Sequence, residues 1–353
     1  MQPWPEQRQA IRQPAAELGR TGMVLSRVGL GTWAQGGGGW AFGWGSQDDR
    51  ESEAAIRAAV EAGVNWIDTA PAYGLGHAEE VVGRVTANMP DADRPYVFTK
   101  LGRHWDPADP MAPLRTYLTA DSIRREVEDS LQRLRAERID LLQVHWPPAD
   151  GTPVEEYWGA LVGLREQGKI RAAGVSNHSV SQLEEVEQVG HVDSLQPPFS
   201  MIRRDAAAAE IPWCAAHHAG VIVYSPLQAG LLSGAMTPQR VAAMPADDWR
   251  ARNTEFTGGR LGRNLALAER LRPVAERHGT TQAAVAIAWV LAWPGVTGAI
   301  VGARRPEQLR DWITAGSLRL DDADLDELAT AIDATGAGAG PARPHQSGPG
   351  SSG

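Results

Sequence analysis

A single cysteine, Cys214, stands in 353 residues. No disulfide can form within the chain, and a reducing, cytoplasmic setting is expected. Cys214 sits in IPWCAAHHAG, a helical pattern, where a buried structural thiol is the expected role. Positive charge is also short: 34 basic against 43 acidic residues leave a net charge of −9. Nucleic acid and anionic membrane both reward excess positive charge, so neither is expected as a partner. No apolar run approaches the roughly 18 residues of a membrane span. The opening MQPWPEQRQAIRQ has no apolar h-region, so no secretory signal is expected. No HxH or HExxH pattern occurs, and metal is not expected.

What the chain does have is alternation. Eight short β-like runs are separated by longer helical patterns: VGLGTWA, VNWIDTA, YVFTKLG, DLLQVHW, RAAGVSN, SLQPPF, GVIVYSP and GAIVG. Between Ser122 and Leu134, Ile123, Val127, Leu131 and Leu134 recur at three- and four-residue steps, and Asp121 is placed to cap that helix. Eight strands alternating with helices predict a (β/α)8 TIM barrel. The rival is a doubly wound dinucleotide-binding sheet, since Gly29, Gly31 and Ala34 fit its glycine fingerprint. That fingerprint needs a helix at once, whereas this chain continues QGGGGWAFGWG. Residues 102–117 and 235–262 exceed ordinary βα loop length and would emerge at the C-terminal face, where barrel enzymes keep their chemistry. The expected organisation is an N-terminal extension over 1–19, one barrel domain over 20–332, and a disordered Gly/Pro/Ser-rich tail over 333–353.

Four residues at strand ends could share a site: Asp68 and Tyr73 in NWIDTAPAYG, Lys100 in YVFTK and His145 in DLLQVHWP. A carbonyl reduced by hydride needs a proton for its oxygen. A phenol can donate it, but its reference pKa of about 10 is high for work near neutrality. A neighbouring ammonium stabilises the phenolate, a carboxylate holds the ammonium, and an imidazole orients the carbonyl. Taken singly, each residue has a bland reading as a cap, a solvated lysine or a core histidine.

IDTAPAYG, the lysine after YVFT, DLLQVHWP, GKIRAAGVSNHS, QPPF, YSPLQAGLLSG and VGARRPEQL resemble, in order and spacing, the aldo-keto reductase superfamily. The resemblance covers about residues 20–332 and looks nearest to the bacterial general-stress type. It implies Tyr73 as proton donor, Lys100 and Asp68 as its tuning pair, and His145 as the substrate-orienting group. It also implies a nicotinamide cofactor held without a dinucleotide-binding sheet. Ser176, Asn177 and Gln196 match contacts to the nicotinamide amide, and Tyr224 matches the ring stacked on it. Gly31, Thr32 and Trp33 lie beside it at the end of the first strand, and Ser225, Pro226, Leu227 and Gly230 follow the pyrophosphate. Gly302, Arg304, Arg305 and Gln308 form the segment that grips the 2′-phosphate, so NADPH/NADP+ is the expected cofactor. Many relatives carry an asparagine near the position of Trp312, so Trp312 or Gln308 is expected to meet the adenine instead.

Thirteen tryptophans are present. Trp33, Trp40, Trp44, Trp105 and Trp146 fall on loops at the catalytic face, and Trp33, Trp105 and Trp146 are the expected substrate contacts. Arg250, Arg252 and Phe256 lie on the loop after the seventh strand, which is expected to close over the site. The expected activity is NADPH-dependent reduction of a small-molecule aldehyde or ketone by a monomer or weak homo-oligomer. The alternative is a nicotinamide-binding regulatory subunit of the potassium-channel beta type, which shares the same four residues. A metal-dependent barrel hydrolase would need more clustered ligands than the sequence offers.

Overall fold

The computed structural model describes residues 13–344. Eight parallel strands close a barrel in sequential order: β1 (Val28–Gly31), β2 (Trp66–Asp68), β3 (Tyr96–Leu101), β4 (Ile139–Val144), β5 (Ile170–Ser176), β6 (Ser194–Gln196), β7 (Gly220–Val223) and β8 (Val296–Gly302). The first strand pairs with the last, Gly31 opposite Gly302. The architecture is thus the (β/α)8 barrel, and every β-like run in the sequence overlaps one of its strands.

Strand side chains alternate between the two faces, so residues two apart share the barrel interior. Trp66, Phe98, Leu141, Ala172, Ile222 and Ile300 form one interior layer with Tyr96. Two residues further along their strands come Asp68, Lys100 and Gln143, all buried. Apolar packing therefore fills the lower barrel, and polar groups occupy the next layer toward the C-terminal mouth. Glycine makes room for the largest plug. A Cβ at Gly29 would lie 2.2 Å from the Trp66 ring, and one at Gly298 3.0 Å from it. Outside the barrel, apolar helix faces cover the strands. Ala120–Leu134 buries Ile123, Val127 and Leu134, and Gln282–Leu291 buries eight of its ten residues.

The structure corrects three expectations. Ala15–Glu17 falls inside the expected N-terminal extension, yet it pairs antiparallel with Val24–Ser26. Leu18, Met23 and Leu25 of this hairpin join the interior apolar layer, so the hairpin plugs the barrel floor. Residues 1–12 lie outside the described residues. The helix expected to be capped by Asp121 starts two residues earlier, at Ala120. Thr119 is its cap, accepting from the Ser122 N–H.

The tail expected to be disordered from residue 333 is ordered as far as 344. Thr335 ends the helix Asp322–Thr335, and Ala339 pairs with Arg203. The Arg204 guanidinium donates to the Ala337 and Gly340 carbonyls, and Arg343 pairs with Asp322 and Asp326. A Cβ at Gly338 would lie 1.7 Å from the Ile202 carbonyl oxygen. Glycine here permits close backbone approach rather than disorder. The remainder of the expected tail lies outside the described residues. The loop 235–262 is also structured: it holds the helix Pro238–Ala242, two 3-10 turns and the start of the helix Gly258–Arg270.

Candidate active site

Asp68 and Lys100 end up side by side because β2 and β3 are neighbours and both residues point inward. The Lys100 Nζ donates to Asp68 Oδ1 at 2.5 Å, to the Thr69 carbonyl at 3.1 Å and to the Tyr73 hydroxyl at 3.3 Å. The pair is sealed, with side-chain exposures of 1% and 3%. Asp68 is further held by Gln196, whose amide donates to Oδ2 at 2.8 Å, and by Gln143 at 3.4 Å. Thr32 fixes the strand end itself, its N–H and hydroxyl both donating to the Asp68 carbonyl. Tyr73 follows on the turn after β2 and reaches back over Lys100.

His145 sits just beyond β4, its ring centroid 5.9 Å from that of Tyr73 and nearly perpendicular. Burial, reinforced by Lys100 and Arg103, pushes its imidazole well below the ordinary value. It is therefore a neutral ring near pH 7. Burial and the Asp68 charge push the Tyr73 phenol well above its ordinary value. Burial lowers Lys100 from its ordinary value, and Asp68 opposes that shift. The result is a protonated phenol, a neutral imidazole and a buried ion pair at one spot, which suits acid catalysis at a carbonyl oxygen.

Above them opens a cavity of about 200 Å³ lined by Trp33, Trp40, Phe42, Ala72, Tyr73, Arg103, Leu114, His145, Trp146, Ser176, Asn177, Gln196 and Tyr224. Trp33 stacks on Tyr73 at 6.2 Å and on Trp249 at 5.0 Å. Of the three expected substrate contacts, Trp33 and Trp146 line this cavity. Trp105 does not, which corrects that expectation. It lies beyond Arg103 and His104 on a loop that carries Leu114 to the cavity in its place.

The expected cofactor residues form a track from this cavity outward. The Tyr224 hydroxyl donates to Asn177 Oδ1 at 2.8 Å, Asn177 Nδ2 donates to the His145 carbonyl, and the Ser176 hydroxyl donates to the Gln196 carbonyl. Gln196 lines the cavity, but its amide nitrogen is occupied by Asp68 and Gln143. After β7, Ser225, Gln228, Ala229 and Gly230 all have positive φ, with Pro226 and Leu227 between them. Within this left-handed turn the Gln228 and Gly230 N–H groups donate to the Ser225 and Leu227 carbonyls.

At the far end, Gly302 faces Gly31 and Arg304 lines a second cleft of about 270 Å³. Trp44, Arg240, Asp248 and Arg250 line the same cleft. Tyrosine face, paired amide groups, left-handed loop and cationic cleft together fit a nicotinamide dinucleotide.

Several assignments change here. Arg304 is a strut: Nε donates to Gln47 at 2.6 Å, and its other nitrogens donate to the Trp44 and Ser46 carbonyls. Arg305 is 65% exposed and pairs with Glu51 at 3.3 Å. Gln308 spends its carbonyl oxygen on the backbone N–H groups of both arginines. Trp312 is 2% exposed and belongs to the core, so it cannot stack on an adenine. The loop expected to close is already docked. Arg250 pairs with Asp248 and lies 4.4 Å over the Trp44 ring, Arg252 donates to the Ala41 carbonyl, and Phe256 is buried.

Sequence reasoning missed Gln143 and Arg103. The signal for Gln143 was its place two residues before His145, on the same strand face. Arg103 carried no comparable signal.

The sequence matches the family model described as Aldo/keto reductase family over residues 27–333. It is 35% identical over 316 residues to the aldo-keto reductase YhdN of Bacillus subtilis, covering 89% of this chain and 92% of that one. It is 34% identical over 328 residues to the NADH-specific methylglyoxal reductase of Escherichia coli, covering 90% and 98%. Among solved structures, the glycerol dehydrogenase AKR11B4 from Gluconobacter oxydans superposes with a TM-score of 0.82 at 38% identity, covering 91% of this chain and 96% of that one. Fold, site and sequence agree: this chain belongs to the aldo-keto reductase family, oxidoreductases that work with nicotinamide cofactors.

Proposed function

We propose that the protein reduces an aldehyde or ketone to an alcohol, with Tyr73 as proton donor and NADPH as the preferred cofactor. One observation carries the reading: the Lys100 ammonium joins Asp68 to the Tyr73 hydroxyl at the floor of an aromatic cavity beside His145. A bound reduced nicotinamide supplies the hydride. Tyr73 gives its proton to the carbonyl oxygen as negative charge develops there. Lys100 stabilises the phenolate left behind, and Asp68 keeps Lys100 in place between the two. Neutral His145 points the carbonyl oxygen toward the phenol. The raised Tyr73 value keeps the donor protonated until the substrate oxygen becomes basic enough to take the proton.

Arg305 supports the phosphorylated cofactor. Its guanidinium is exposed just beyond the end of β8, pairs with Glu51 among the described residues, and can exchange that partner for a phosphate. Arg304 would act indirectly, by holding the 44–47 loop against the cleft. The E. coli relative is named NADH-specific, so NADPH and NADH are to be compared directly for this protein.

The test is Tyr73→Phe. It should lower kcat for aldehyde reduction by about 10²–10⁴-fold, while the dissociation constant for NADPH, read by tryptophan fluorescence, stays within about twofold. Equal loss of binding and turnover would make Tyr73 a structural residue.

A further inference from the structure

Arg103 has no counterpart in the chemistry just described. It is the one side chain with a permanent charge among those lining the 200 Å³ cavity. Its Nη1 donates to the Thr116 hydroxyl at 2.7 Å, a neutral acceptor. Among the described residues no carboxylate lies within ion-pair distance of it. Arg27, Arg204 and Arg304 also rest on neutral acceptors, but each makes several such bonds, whereas other partly buried arginines have carboxylate partners. Arg133 pairs with Glu79, Arg84 with Asp49 and Glu53, and Arg250 with Asp248. A cation held in an aromatic cavity without a counter-ion is costly. Here burial alone pulls the guanidinium below its ordinary value.

The position is also built. Gly102, at φ +87°, turns the chain sharply out of β3, and Glu126 accepts the Gly102 N–H at 2.9 Å. Arg103 and His104 then pair antiparallel with Thr116 and Arg115. The guanidinium is therefore fixed by a two-stranded hairpin rather than left on a free loop. A fixed planar fork of N–H donors is complementary to a carboxylate.

Resting on the carbonyl-reducing reading, we propose that this site selects aldehydes or ketones that carry a carboxylate, and that Arg103 is the residue that recognises it. The aromatic walls take the carbon skeleton. The carbonyl end meets Tyr73 and His145, and the carboxylate end meets Arg103.

The experiment compares each of 2-, 3- and 4-carboxybenzaldehyde with its neutral methyl ester, in the wild type, Arg103→Met and Arg103→Lys. For at least one pair the wild type should favour the acid by tenfold or more in kcat/KM. Arg103→Met should bring that ratio to about one, mainly through KM, because the carboxylate is bound alike before and during reaction. Arg103→Lys should retain part of the preference.

The proposal is overturned if the wild type favours the ester in every pair, or if Arg103→Met lowers acid and ester equally. Benzoate binding by tryptophan quenching reads the anion site without turnover. Binding that is weakened at least fivefold in Arg103→Met supports the site even if nothing is reduced, and in that case the reductase reading alone fails. Binding that is indifferent to Arg103 overturns the anion site.

Discussion

Replacing Lys100 tests the electrostatics of the site separately from its chemistry. The Lys100–Asp68 pair is almost wholly buried, and the atoms meet at 2.5 Å. Removing one partner of such a pair leaves an uncompensated charge and costs about 3–5 kcal/mol. In Lys100→Met, the Asp68 carboxylate keeps only the amide groups of Gln196 and Gln143. In Asp68→Asn, the ammonium keeps the Thr69 carbonyl and the Tyr73 hydroxyl but loses its counter-ion. If the two costs added, the double variant would lose about 6–10 kcal/mol. It contains no unpaired charge, however, only an amide with one unmatched donor, worth about 1–3 kcal/mol. The double variant should therefore be more stable than either single variant, with a coupling of at least about 3 kcal/mol.

Urea unfolding followed in parallel by tryptophan fluorescence and far-ultraviolet circular dichroism would measure this. Coincident transitions are required before free energies are compared. All three variants should have lost most reductase activity, so stability rather than turnover is the informative readout. Additive losses in the cycle would refute the view that the pair is a buried, mutually dependent unit.

Two further outcomes follow from neighbouring charges. Burial raises Glu126 to about 7 against an ordinary 4.5, so the folded state binds its proton more tightly than the unfolded chain does. Its contribution to stability is full below about pH 4.5 and is lost as pH rises through 7, a change of roughly 3 kcal/mol. Stability measured from pH 4.5 to 8 should fall less steeply in Glu126→Gln than in the wild type, and parallel curves would contradict the shift. At the cofactor end, Arg305→Ala should raise the KM for NADPH by about tenfold, the worth of one charge-assisted contact. The KM for NADH should move less than twofold, and equal movement of both would remove Arg305 from 2′-phosphate recognition.

The barrel was legible because its strands are short apolar runs bounded by helical patterns with a period near 3.6, and strand side chains alternate between faces with a period of two. Asp68, Lys100 and His145 stood out because each ends such a strand. Gln143 obeys the same period but reads as an unremarkable glutamine until the barrel closes and Asp68 is found across it. The N-terminal hairpin escaped because its first strand, Ala15–Glu17, carries no large apolar residue to mark it. Arg304 and Arg305 looked like one phosphate clamp. Only the fold shows that the 44–47 loop, more than 250 residues away, takes the first of them. The glycines near 338 looked like disorder for the same reason: the backbone they approach at Ile202 is distant in sequence.

The division between what could and could not be read has a physical origin. Proton transfer needs groups placed to a fraction of an ångström, and interior strand positions supply that placement through local geometry that repeats every two residues. Substrate choice depends on side chains that converge from separate loops: Trp33 and Phe42 after β1, Arg103 and Leu114 after β3, Trp146 after β4. Each of those loops is fixed by partners far away in the chain. Trp249 from the loop after β7 stacks on Trp33, and Arg252 from that loop holds the Ala41 carbonyl. Exchanging an entire loop would thus disturb the wall opposite as well as its own. Single substitutions at Arg103 alter one end of the cavity while the hairpin beneath keeps its backbone pairing, which makes Arg103 the cleaner place to read or to change what this reductase accepts.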